Sequence, residues 1–260
     1  MIRLRFIVPV LLVAAGASGC TRMTNGTVAE PFPDSVSSSL ADGLESDAVY
    51  YDGAAVGRTT ARVQMDQDGG SFTLSVGGTD YTLRPDGDPE LVSSPLWEYP
   101  ANYTEYQFDD GTNAGGLYVG RYMAVGGANI AATGTEYLVQ AGLETPADGL
   151  PAQTAAYEGY WEVYDTGGLD VDGVFDASVD FDAGTIAFAI HDDSDTQIGL
   201  GAGTVSGSTF ASSFNVTSGI NTSVNNVDGN FYGPNAEEMA GLVAGNGTGP
   251  TFGFIFGHQK

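Results

Sequence analysis

The sequence predicts an all-β fold, and three observations predict it. Among 260 residues stand 38 glycines, 13 tyrosines and 13 phenylalanines. That mixture suits short strands joined by tight turns, because glycine supplies the positive φ that hairpins need. Apolar side chains recur at every second residue in several segments, the period of a strand with one face in water. Runs with the i, i+3, i+4 spacing of a long amphipathic helix are few.

The first element is a leader over residues 1–19. Arg3 and Arg5 precede an apolar run from Phe6 to Ala15, and small residues follow at Ala17, Ser18 and Gly19. This is the layout of a secretory signal peptide, with an apolar run too short to span a bilayer. Cys20 comes next, and the junction resembles the bacterial lipobox. The resemblance implies cleavage before Cys20 and acylation of its thiol and new amino group. Cys20 is the only cysteine in the chain, so no intramolecular disulfide can form. Attached acyl chains would anchor the chain durably, at about 0.8 kcal/mol per buried methylene. Thr21 stands where inner-membrane lipoproteins often carry aspartate, which favours the outer membrane.

Residues 20–45 read as a flexible lipidated tether rich in Thr, Ser, Asn, Gly and Pro, with Pro31 and Pro33 close together. Residues 46–127 read as a small strand-rich antiparallel region. Phe72 to Val76 alternates apolar and polar, Gly77-Gly78 supplies a turn, and Tyr81 to Leu83 returns as the partner strand. An aromatic stretch follows at Trp97, Tyr99, Tyr103 and Tyr106, broken by Pro95 and Pro100. Gly126-Gly127 then marks the expected boundary to a second region, 128–260. There Phe175, Ala177, Val179 and Phe181 alternate with Asp176, Ser178, Asp180 and Asp182. Ala183-Gly184 turns the chain toward Ile186, Phe188 and Ile190, and the same spacing recurs at Phe252, Phe254 and Phe256. Short strands ended by Gly, Asn or Asp at such intervals predict a sandwich or a closed barrel. Closure is favoured because it removes exposed strand edges.

Removing Arg3 and Arg5 with the leader leaves six basic residues against 33 acidic ones, a formal charge of −27. So acidic a chain repels nucleic acid and anionic headgroups, so neither is an expected partner. Solubility explains the charge, and attraction of a cationic partner is the sharper alternative.

The segment Gly229-Asn-Phe-Tyr-Gly-Pro-Asn-Ala-Glu-Glu-Met-Ala-Gly241 narrows the fold. It resembles the G-x-F-Y-G-P-x-A-x-E-x-x-G signature of the β-barrel domain in transferrin-binding protein B and its relatives, among them factor H-binding protein. The matching residues are Gly229, Phe231, Tyr232, Gly233, Pro234, Ala236, Glu238 and Gly241. Leu150 to Gly159 is similar to the first barrel strand of that family, and Thr251 to Gly257 to its last. The resemblance covers residues 130–260. It implies a C-terminal eight-stranded antiparallel β-barrel preceded by the smaller strand-rich region, an outer-membrane lipoprotein and a binding role. Relatives capture host proteins, but no ligand is carried over, because ligand contacts lie in loops that do not align. Read for its physics alone, the segment is structural. Phe231 and Tyr232 point to opposite strand faces, one inward and one at the rim. Gly233-Pro234-Asn235 is a turn, and Glu237 or Glu238 is placed to accept turn N–H groups.

Catalytic patterns are weak. His191 lies beside Asp192-Asp193, but no G-x-S-x-G elbow accompanies it, and it reads as a solvated strand end. His258, two residues from the C-terminus, is expected to fray. Asp165, Asp170, Asp172 and Asp176 crowd a glycine-rich turn without the ligand order of a calcium loop. Two scattered histidines and a committed cysteine offer no transition-metal set. No cofactor, metal or catalytic residue is therefore assigned. Trp97, Tyr99, Tyr103 and Tyr106 are the candidate ligand surface, since Tyr and Trp anchor interfaces, although packing of a small sheet would use them equally. The expectation is a non-enzymatic binding lipoprotein anchored to the outer membrane, on its surface or its periplasmic face, with an unidentified protein or solute ligand. The alternative is a structural lipoprotein holding an envelope partner in the periplasm.

Overall fold

The computed structural model describes residues 23–24, 27–28, 33, 35–66, 70–85, 90–92, 103–165, 170–192, 194–216, 224–246 and 250–260. The leader, Cys20, Trp97 and Tyr99 lie outside them. Residues 1–32 form a unit apart from 33–260, and its described part is a two-strand ladder of β1 (Met23–Thr24) and β2 (Thr27–Val28).

The body opens with a short helix that sequence patterning missed, α1 (Val36–Asp42). Val36 and Leu40, one helical turn apart, are both buried, and Gly43 closes the helix at φ 85° with its N–H on the Leu40 carbonyl. The expected tether therefore ends before residue 36, because this apolar pair plugs one face of the sheet that follows.

That sheet has nine strands: β3 (Leu44–Tyr51), β4 (Val56–Met65), β5 (Phe72–Val76), β6 (Thr79–Leu83), β7 (Glu90–Val92), β8 (Tyr103–Asp109), β9 (Ala114–Val119), β10 (Met123–Ile130) and β11 (Thr135–Gly142). Their spatial order is β6-β5-β4-β3-β11-β10-β9-β8-β7. The hairpin expected around Gly77-Gly78 is present. Val76 pairs with Thr79, and the two glycines take φ 59° and 82°, the positive angles a two-residue turn demands. The sheet curls until its ends meet: Phe72 of β5 and Phe108 of β8 lie 5.4 Å apart, and the Asp109 N–H reaches the Arg84 carbonyl at 3.0 Å. Leu74, Leu83, Phe108 and Leu117 fill the hollow with Val36 and Leu40.

Gly126-Gly127 is no boundary. Both glycines lie within β10, paired on both sides with β9 and β11. They stand there because the strands approach closely: a Cβ on Gly127 would collide with the Tyr137 carbonyl. The second region begins instead at Thr154.

It is a closed barrel of β12 (Thr154–Asp165), β13 (Asp170–Asp180), β14 (Thr185–Asp192), β15 (Gln197–Ser206), β16 (Thr209–Val216), β17 (Val224–Tyr232), β18 (Glu238–Asn246) and β19 (Pro250–Gln259). All neighbours are antiparallel, and β19 closes on β12 from Asp165↔Thr251 to Tyr157↔Gln259. Alternation fills the lumen with side chains: Tyr157, Trp161, Phe175, Phe188, Phe214 and Phe231 all belong to one core. Gly159 and Gly257 leave room for the Phe175 ring, which a Cβ on either would meet within 2.9 Å. The acidic partners of the alternation face outward, as the sequence predicts. Phe252, Phe254 and Phe256 do not enter the lumen. Ile255 between them does, and the three rings stand on the outer wall, covered by the nine-stranded sheet.

Candidate functional site

The contact between sheet and barrel is built largely from aromatic rings. Phe256 meets Tyr103 edge-on at 4.8 Å and stacks on Tyr118 at 4.9 Å, and Tyr51 stacks on Phe252 at 5.4 Å. Ala240 and Leu242 of β18 are fully buried beside them. Beyond the rings, Arg58 of β4 pairs with Asp228 of β17 at 2.6 Å, both side chains being well exposed.

The signature segment is the clasp of this contact. Phe231 points into the barrel, packed against Tyr157, Phe181 and Phe210. Tyr232 points out, yet it is 2% exposed. It fills the space left by Gly142, where a Cβ would lie 2.5 Å from its ring. The ring of the pair that points outward is thus buried as well and takes no rim position, because the sheet covers that wall. Both carboxylates after the turn accept N–H groups. Glu237 takes the Asn235 backbone N–H at 2.8 Å and its side-chain amide at 2.9 Å. Glu238 reaches across to the other half and accepts the N–H groups of Arg121, Tyr122 and Met123 at 2.8, 2.8 and 3.0 Å. Burial raises the Glu238 carboxyl above its ordinary range, and the three N–H donors pull the other way. Gly120 is needed beneath it, since a Cβ there would sit 2.7 Å from the carboxylate. Tyr103 lies alongside, and burial together with the Glu238 charge raises its phenol.

Of the proposed aromatic surface, Tyr103 and Tyr106 can be placed, and they do not share a face. Three residues apart on β8, they point to opposite sides. Tyr103 is buried in the seam, whereas Tyr106 stacks on Phe108 at 6.4 Å in the hollow of the sheet. Packing therefore accounts for both. His258 does not fray: it is buried within β19, its Nε2 3.6 Å from Glu158. Burial lowers its pKa, opposed by the Glu158 charge. His191 is also less open than a solvated strand end. Its carbonyl accepts the Trp161 indole N–H at 2.8 Å, and its Nδ1 lies 3.1 Å from Asp195. Asp172 accepts the Tyr160 hydroxyl at 3.2 Å and Asp176 the Lys260 ammonium at 2.6 Å, both along β13. Among the described residues no three His, Cys, Asp or Glu side chains gather to hold a metal ion.

Sequence patterning missed a cleft of about 390 Å³ between sheet and barrel. Its floor includes Ala114, Gly116 and Gly127 on β9 and β10, and its barrel wall is Glu162, Tyr164, Phe252 and Phe254. Glu105 and Glu136 stand at its sheet side, each half-buried. Glycine doublets at 115–116 and 126–127 are the only signal the sequence carries for it, and such doublets ordinarily signal turns or boundaries.

Residues 150–260 match a family model described as the C-lobe and N-lobe β-barrels of transferrin-binding protein B. No curated protein matches the chain. Among solved structures, transferrin-binding protein B of Neisseria meningitidis serogroup B superposes with a TM-score of 0.57 at 19% identity, covering 84% of this chain and 43% of that one. A double mutant of the protein from Haemophilus parasuis gives 0.58 at 14% identity, covering 83% and 45%. The chain thus spans less than half the length of those proteins, and at such identity the likeness is one of fold: curled sheet plus closed barrel. The cylinder that closes within residues 150–260 is thus similar to the β-barrel lobes of transferrin-binding protein B.

Proposed function

We propose that this chain is an outer-membrane lipoprotein, anchored through Cys20, that binds a protein ligand without catalysing a reaction. The observation that carries this reading is the match of residues 150–260 to the β-barrel lobes of transferrin-binding protein B, joined to a sheet as in proteins whose names record transferrin binding. The lipobox-like junction before Cys20 supports the anchor. The aromatic seam and the ring-filled lumen support a rigid display scaffold. The signature residues Gly229, Phe231, Tyr232, Gly233, Pro234, Ala236, Glu238 and Gly241 serve this scaffold structurally. Transferrin itself is not assigned as the ligand.

The anchor is tested by radiolabelled palmitate incorporation in the native host, which Cys20→Ala should abolish. Binding is tested with the mature chain carrying Cys20→Ser on a biosensor, exposed to host and environmental protein fractions. Saturable capture of a purified protein is expected, and failure across all fractions would remove the binding role. Protease treatment of intact cells should cleave the chain, whereas full protection would place it on the periplasmic side.

A further inference from the structure

We propose that the cleft between sheet and barrel seats an arginine side chain presented by a basic segment of a partner protein. The proposal deepens the binding reading above and rests on it for the partner being a protein.

The cleft combines three features that suit one chemistry. The first is charge. Glu105, Glu136 and Glu162 all contribute to its lining, and none of its described lining residues is basic. The electrostatics of Tyr118 register this field, for burial and the charges of Glu105, Glu162 and Asp172 raise its phenol far above the ordinary range. The second is an aromatic wall: the half-buried rings of Tyr118 and Tyr164, backed by the buried Phe252 and Phe254, with Tyr118 5.9 Å from the Phe254 ring. The third is the floor. Gly116 leaves a bare peptide plane there, with Ala114 beside it and Gly127 overlaid by the Leu138 side chain.

A guanidinium fits all three. It is flat, stacks on aromatic faces and peptide planes, and donates in a fork to carboxylates. Glu105 is held by Gln107 at 2.9 Å and Glu136 by Asn129 at 3.0 Å. Each carboxylate has further acceptor sites and is already oriented, so little ordering remains at binding. The cleft volume suits a single side chain better than a folded domain. It opens to solvent, so that a backbone lying outside can reach in. The −25 charge of the whole chain steers a basic macromolecule toward it.

The test uses the mature chain and the peptide Ac-Gly-Gly-Arg-Gly-Gly-amide, followed by 15N NMR. Saturable shifts are expected at the Gly115, Gly116, Gly126 and Gly127 amides, weakening as salt is raised. The citrulline version of the peptide, neutral but isosteric, should bind about tenfold or more weakly. Gly116→Val should fill the floor and abolish the shifts. Gly116→Ala is the folding control, since its Cβ would meet only the Tyr106 carbonyl, at 3.4 Å. Glu105→Gln with Glu136→Gln should weaken binding by about tenfold or more without changing the melting temperature. Equal binding of the citrulline peptide, or shifts that survive Gly116→Val, would overturn the proposal. So would binding of agmatine with no binding of the arginine peptide, which would make the cleft a site for a free small cation. A protein partner captured equally by wild type and Gly116→Val would leave the binding role standing and remove the cleft from it.

Discussion

Glu238 is the residue on which the two halves lean. Its carboxylate is 4% exposed and meets three backbone N–H groups from the β9–β10 turn. Truncation to alanine orphans all three donors at a buried site, and each orphan costs about 1–3 kcal/mol. Glu238→Ala should therefore lower the unfolding free energy by about 3 kcal/mol or more, read from urea titration. Arg58→Ala breaks an exposed ion pair across the same contact and should cost only about 0–1 kcal/mol. His258 supplies the pH dependence. Its folded pKa lies below the ordinary 6.5, since burial disfavours the imidazolium. The unfolded chain then takes up the proton first, so protonation favours unfolding. The stabilisation is present above pH 6.5 and is lost as pH falls through the window beneath it. The stability difference between wild type and His258→Gln should shrink between about pH 8 and about pH 5. Nothing in the sequence near position 258 signals this, because its burial comes from β12, β18 and Tyr103, all distant along the chain.

At the scale of elements, legibility follows the number of faces a strand buries. β12, β13 and β14 keep one side in water over much of their length, so their alternation reads directly and the inward set Phe175, Ala177 and Val179 is correct. β10 and β19 are buried on both sides, between lumen or hollow and seam. Their apolar runs lose the two-residue contrast that tells inside from outside, so Phe252, Phe254 and Phe256 show a spacing but not a direction. α1 escaped for another reason: seven residues rich in serine have little intrinsic helicity, and packing of Val36 and Leu40 holds them. Glycine doublets punctuate the chain at 77–78, but at 126–127 strand approach and not turning demands them. Two substitutions probe strand approach in the sheet and ring packing in the lumen. Gly127→Ala should destabilise the chain and disturb the β10–β11 ladder, because its methyl group would meet the Tyr137 carbonyl. Phe231→Ala, at the meeting point of three other rings in the lumen, should cost about 3–5 kcal/mol. Hydrogen exchange of the ladder amides checks the first and chemical denaturation the second.

For the whole molecule, the seam is a third core alongside the lumen and the hollow. Neither half can shed the other without exposing it. A fragment holding only residues 150–260 would present Ala240, Leu242, Phe252, Phe254 and Phe256 to water on one wall, a contiguous apolar patch. Such a fragment should bind a hydrophobic dye and self-associate, and the intact body should melt in a single transition; two separated transitions would show the halves to be independent. The sequence marked the two regions but not their joint, because the residues that make it come from both and carry no common motif.

The indole of Trp161 sits at 0% exposure in the lumen with its N–H on the His191 carbonyl. The chain's other tryptophan is Trp97. A Trp97→Phe protein would therefore carry a single indole, inside the cylinder, which long-wavelength excitation selects over the tyrosines. Its blue-shifted emission would report the cylinder's integrity alone, letting an observer time its opening against the loosening of the sheet without any added label.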